Sequence, residues 1–312
     1  MALDHYIPQV YLKNFYTSDN RLNCMSKQKM QLFQAKTEAV CRIKNHSTNE
    51  YLIEPRLIED FLKNIEPKLN IAIKDFENGS IGSESLYVVS GLISFISTCS
   101  PCAMRLAAKS LRRNVEEISK NEDRFGRIKP IVYDGIHHTL SELLENGSLK
   151  VSIDEKFPQA IGIRKILDTL YRIGNWTWEI LMNNTPELFI TSDYPIGIEV
   201  SSLNRPINKI FPLTPHIAIR LLPEKKVAGH KGRIGFNEFK YRIVELGRTD
   251  VSYINKILIQ CAEQYVFFSE ITNRIITKIS KYSKYRVNLK DYMLPTERGY
   301  LLILTQVIEE TQ

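Results

Sequence analysis

Two short tracts and one lone carboxyl have the residue types and spacing to do chemistry. His5, Tyr6, Pro8 and Gln9 crowd the start of the sequence, with Tyr11, Leu12 and Phe15 behind them. A histidine just before a helix start meets free amides and the positive end of the dipole, where an anion is favoured. His5 and Gln9 are therefore candidates for holding phosphate, a metal or a polar substrate. The structural alternative is that both hydrogen-bond backbone and pin the terminus. In the second tract, residues 189–195, an apolar stretch runs into Thr191, Ser192, Asp193 and Pro195. Catalytic groups often sit where a rigid strand opens into a loop. Asp193 is a candidate metal ligand or general base, oriented by Ser192. Local capping of a turn by the same two side chains is the alternative. Glu66 precedes the helix-breaking Pro67 and could project from a kink, or be an ordinary solvated glutamate.

A basic segment is the next feature. Arg274, Lys278, Lys281, Lys284 and Arg286 lie in a stretch from 271 to 290 that contains no acid, with Tyr282 and Tyr285 between them. Cations neutralise phosphates and aromatic rings stack on bases, so the segment is a candidate nucleic-acid surface; a solvated basic face is the alternative. The formal net charge of +7 points the same way. Cys99 and Cys102 have the spacing of a redox or zinc pair, but no second CxxC exists, so neither zinc nor a disulfide is expected. No phosphate-binding P-loop, dinucleotide glycine fingerprint, HExxH or nucleophile elbow is present.

These residues must be positioned by a chain whose hydrophobic and charged shares, 43% and 25%, are those of a globular protein. Three regions are expected, forming one compact unit. Residues 1–53 carry the N-terminal motif, a short helix near Pro8 and a hairpin around Lys27. Residues 54–149 are helical. Ile58, Phe61, Leu62, Ile65, Leu69, Ile73 and Phe76 recur at spacings of three and four, interrupted at Pro67, and helices follow near 85–98, 104–118 and 133–145. Residues 150–312 are strand-rich, with 176–181 and 188–191 read as paired strands, a helix entering strand over 251–268, and a final strand from 299. The fold class is α+β, a mixed or antiparallel sheet body with a largely helical insert in the N-terminal half. The most apolar stretch, 86–99, is too short to span a bilayer, and no basic segment followed by an apolar core opens the sequence. A cytoplasmic protein without a membrane partner is expected.

HYIPQVYLKNF at the start, FITSDYPIG in the middle, FPLTP at 211–215 and the tract VSYINKILIQCAEQYVFFS together resemble a mainly bacterial family of unknown function. Its members carry an HYxPQ motif and a later TSDxP turn. The resemblance carries over His5, Pro8, Gln9, Tyr11, Thr191, Ser192, Asp193 and Pro195, with Arg105 a looser match. Some family members occur among prophage-borne genes for defence against other phages. The resemblance therefore implies a phage-defence effector. If it is an enzyme, the first class is a metal-dependent nuclease or nucleotide hydrolase. His5 and Asp193, with Glu66, would hold a divalent metal (Mg or Mn) or act as acid and base. The alternative is a non-enzymatic sensor that recognises a phage product, with a phage protein as its trigger.

Overall fold

The computed structural model describes residues 3–199, 207–223, 235–297 and 299–311. Strand β1 (Leu3–His5) leads through Pro8 into a single helical turn, α1 (Gln9–Leu12), and β2 (Leu22–Ser26) and β3 (Leu32–Ala35) form the hairpin around Lys27. After β4 (Arg42–Lys44), which pairs with β1, come α2 (Leu57–Lys63), α3 (Leu69–Glu77), α4 (Ser83–Cys99) and α5 (Pro101–Arg124). Pro67 sits in a 3-10 turn between α2 and α3, so the continuous apolar stripe is served by two abutting helices. Ser100 separates α4 from α5, its side chain accepting the Ala103 amide at 3.3 Å.

The expected helix over 133–145 is replaced by a hairpin, β5 (Ile131–Tyr133) and β6 (Ile136–His138), followed by the short helix α6 (Leu140–Glu145). Asp134 and Gly135 both take positive φ, 51° and 77°. Asp-Gly is the dipeptide that a two-residue hairpin turn favours, and it outweighs the helical spacing around it. The strand-rich region after residue 150 opens with two helices, α7 (Lys156–Arg164) and α8 (Ile166–Gly174), ahead of its first strand. Ile166, Leu170 and Ile173 recur at helical spacing and are all buried against the core.

The remaining elements are β7 (Thr177–Met182), β8 (Thr191–Ser192), β9 (Gly197–Glu199), β10 (Asn208–Pro212), β11 (Ile217–Leu222), β12 (Lys240–Glu245), α9 (Arg248–Cys261), β13 (Tyr265–Phe268), α10 (Asn273–Tyr282), β14 (Tyr285–Thr296) and β15 (Gly299–Glu310). Two sheets form the body. One has the order β12-β7-β11-β10-β9, with only β12 and β7 parallel. The other has the order β3-β2-β13-β8 and is antiparallel. The fold is α+β, with helices α2 to α6 between the N-terminal hairpin and the sheets. Residues 188–191 do not pair with β7. The Asn255 side chain binds the Ile190 amide (3.2 Å) and the Leu188 carbonyl (2.9 Å), and β8 then joins β13 in the other sheet. This places Asp193 at the end of a short edge strand, facing the junction of α9 and β13.

No single helix among the described residues is long and apolar enough to cross a membrane. Helix α4 is buried along almost its whole length. At its middle, Gly91 admits the Ile65 and Leu170 side chains so closely that an added Cβ would overlap the first. Gly91→Val should therefore destabilise the protein by about 1–3 kcal/mol through overpacking. Thermal or urea unfolding checks this; unchanged stability would mean that α4 and α8 pack less tightly than the structure has them.

Candidate functional site

The chain leaves helix α9 at Cys261 and enters β13 at Tyr265, so the amides and carbonyls between them have no regular partners. Two buried charges supply those partners. The Asp193 carboxylate accepts the amides of Glu263 (2.9 Å), Gln264 (2.7 Å) and Tyr265 (3.1 Å), and the Asp193 amide donates to the Tyr265 carbonyl. From the other side, Lys27 donates through Nζ to the carbonyls of Ile259 (2.8 Å), Ala262 (2.5 Å) and Tyr285 (2.6 Å). Its amide also donates to the Gln264 carbonyl. A cation at a helix C-terminus satisfies orphan carbonyls and opposes the dipole. Lys27 and Asp193 are 4% and 3% exposed, which makes both charges costly unless their bonds are made. Burial pushes the Asp193 carboxyl up to about 6, although its three amide bonds pull the other way. Burial also pushes Lys27 down to about 8, opposed by the field of Asp193.

Above this turn lies a cleft of about 510 Å³ with Asp193 at its base. Tyr6, Phe33 and Tyr265 contribute aromatic walls, Pro101 lines it too, and the lining residues Arg42 and Gln264 are exposed. Phe33 and Tyr265 meet edge to face, with ring centroids 6.0 Å apart. Glu263 also lines the cleft, and its carboxylate is ion-paired with Arg105.

The N-terminal and central motifs do meet, and Tyr11 joins them. Its hydroxyl donates to the Pro212 carbonyl (2.8 Å) and so accepts from the Thr191 hydroxyl (2.7 Å), while its ring stacks on Phe211 at 5.1 Å. HYIPQVYL, ITSDYP and FPLTP are thereby locked at one buried phenol. His5 and Gln9 look elsewhere. Gln9 Nε2 lies 3.4 Å from His5 Nδ1, and Gln9 Oε1 accepts from the Thr37 hydroxyl at 3.3 Å. Burial lowers the His5 ring's pKa, opposed by the backbone of Glu38 and Thr37 beside it. Ser192 accepts the Tyr194 amide at 3.2 Å, the local turn bond weighed as its structural alternative. Glu66 is half-buried in the 3-10 turn before α3; burial raises its pKa, and it does not line the Asp193 cleft.

The Asp193 carboxylate is bonded to backbone and not to His5: both of its oxygens are taken by backbone amides. Among the described residues, no three His, Cys, Asp or Glu side chains are grouped to hold a metal ion. The five cysteines are buried and free; burial pushes Cys99 up to about 12 and Cys102 well above its ordinary value.

The basic segment is divided rather than continuous. Arg274 and Lys278 turn inward onto Glu187, at 3.0 and 2.8 Å. Lys281 and Lys284 are exposed, with Lys281 over the Tyr282 ring. Arg286, on β14, faces helix α5. Sequence reasoning missed Lys27. Nothing in Lys27-Gln28-Lys29 distinguishes the buried lysine from the exposed one two residues later.

The chain belongs to the family described as "Protein of unknown function (DUF4238)", which matches residues 4–271. That span holds Lys27, Asp193 and the whole α9–β13 turn, and ends before α10. No curated protein and no solved structure matches the chain.

The buried carboxyl gives a pH signature. Folded Asp193 keeps its proton up to about 6, against 3.8 for an ordinary aspartate. The folded state therefore binds more protons across that window, and stability falls as pH rises through it. At about 1.4 kcal/mol per pH unit, the contribution is on the order of 3 kcal/mol between pH 4 and 6. Urea unfolding at a series of pH values, compared between the wild type and Asp193→Asn, isolates it. Parallel curves for the two proteins would show that Asp193 does not titrate in this range.

Proposed function

We propose that this family member is a ligand-binding sensor of the bacterial cytoplasm, acting in defence against phage, and that the cleft over Asp193 takes a nucleotide or the end of a nucleic acid. One observation carries the choice of binding over hydrolysis: both charges are spent on backbone, Asp193 on residues 263–265 and Lys27 on Ile259, Ala262 and Tyr285. A hydrolase built on Asp193 and His5 would need those oxygens for a metal or a water, and would need the two residues together.

What the cleft offers is recognition. Its volume falls within the few hundred to a thousand Å³ typical of small-molecule sites. Phe33 and Tyr265 are perpendicular, so a planar base would stack on the face of one of them, worth about 1–3 kcal/mol per base. Arg42 in the lining suits a phosphate. The ligand would rest on the turn that Asp193 and Lys27 hold, so its occupancy would bear on α9 and β13 together. The placement in phage defence rests on the resemblance of the HYIPQ and TSDYP motifs to proteins from that setting.

Arg42→Gln and Tyr265→Leu should abolish protection in phage plating assays and weaken nucleotide binding about tenfold or more, while melting within a few degrees of the wild type. Arg42 is exposed and leucine keeps much of the bulk of Tyr265, so neither change leaves a large cavity. Full protection in both variants would refute the reading. So would metal-dependent cleavage of nucleic acid that is lost in His5→Ala and Asp193→Asn and tracks protection.

A further inference from the structure

Helix α5 passes strand β14 with residues 151–155 beside them, enclosing a second cleft of about 360 Å³. Arg105, Lys109 and Arg112 line it from one face of α5, at spacings of four and three, and Arg286 lines it from β14. Glu155 is the one carboxylate on its walls.

The acids nearby do not use up this charge. Arg286 has no ion pair and no side-chain hydrogen bond among the described contacts, and its Nε is shut off from water without an acceptor. Glu309, opposite it across the β14–β15 ladder, accepts the Asn288 amide and makes no ion pair with Arg286 among the described contacts, though its charge stays. Lys109 donates only to neutral oxygens, Asn288 Oδ1 at 2.8 Å and the Leu289 carbonyl at 3.1 Å. Arg112 reaches Glu116 at 3.7 Å, a carboxylate that Arg113 holds more closely at 3.0 Å. Arg105 is paired, through Glu263 and the Val287 carbonyl, but its Nε is also buried without an acceptor.

We infer that this cleft is an anion site for a ligand carrying two or more linked phosphates. Arginine forks match phosphate oxygens in pairs, and lysine adds a point charge. Arg105 and Arg112 stand seven residues apart, about 10 Å along the helix, a span that suits linked phosphates better than a single one. The site is separate from the cleft over Asp193 and does not depend on the reading given to it. The two share a wall, because Glu263 lines one cleft and its partner Arg105 lines the other. A phosphate reaching Arg105 competes with Glu263 and so acts on the α9–β13 turn.

Titration calorimetry with inorganic tripolyphosphate at low ionic strength tests the site on four proteins: wild type, Arg286→Gln, Arg112→Gln and the charge-loss control Arg127→Gln. Arg127 is exposed and pairs with Glu122 on the surface. The expected result is saturable binding that weakens with salt, weakens at least tenfold in Arg286→Gln and several-fold in Arg112→Gln, and is unchanged in Arg127→Gln. Arg112 is 45% exposed, so its variant decides the matter if Arg286→Gln melts early. No binding at millimolar tripolyphosphate would overturn the inference. So would equal affinity in Arg112→Gln and Arg127→Gln, or binding of single-stranded DNA without binding of tripolyphosphate.

Discussion

The turn between α9 and β13 can exist only because a lysine and an aspartate are buried on either side of it. A helix that ends and a strand that begins within a few residues leave amides and carbonyls with no regular partner. Here Lys27 collects the carbonyls and Asp193 collects the amides. Each charge is held by three backbone bonds, without which a buried ion is strongly unfavourable, and the field of Asp193 also favours the charged lysine. Their positions also fix the neighbours: Lys27 follows β2, Asp193 follows β8, and both strands flank β13 in one sheet. The cleft over Asp193 is a consequence of this arrangement, because residues 263–265 form part of its wall.

Much of the scaffold was legible in the sequence. The α+β class, the hairpin around Lys27, the break at Pro67, the buried helix over 85–98 and the helix-to-strand passage over 251–268 all follow from periodicity and proline chemistry. The misses have physical causes. Asp134-Gly135 is a hairpin signal inside a stretch whose apolar spacing also suits a helix. Residues 188–191 have strand-like composition, but pairing is a tertiary property, and the Asn255 side chain draws this stretch away from β7. Helix α10, inside the basic segment, splits the cations between the Glu187 cluster and the surface.

The candidate site was less legible than the fold. The motifs around His5 and Asp193 do come together, but at Tyr11 rather than through the polar pair that their chemistry suggested. Ser192 makes the local turn bond, whereas Asp193 caps a distant turn, at the amides of residues 263–265. Lys27 carried no signal, because burial of a single lysine depends on which carbonyls the fold later brings to it. Arg105 stood out only by resemblance, yet it joins the aromatic cleft to the basic one through Glu263. The two clefts thus share one ion pair beside the same turn.

The central claim is that Lys27 and Asp193 act as one unit. A double-mutant cycle in urea at pH 7, with Lys27→Met, Asp193→Asn and the combined variant, measures this directly. Each single change should cost about 3–5 kcal/mol, because it strands the opposite buried charge. The combined change should cost less than the sum by about 1 kcal/mol or more, since neither charge is then left alone. Losses that add to within about 0.5 kcal/mol, or a single variant as stable as the wild type, would contradict the account.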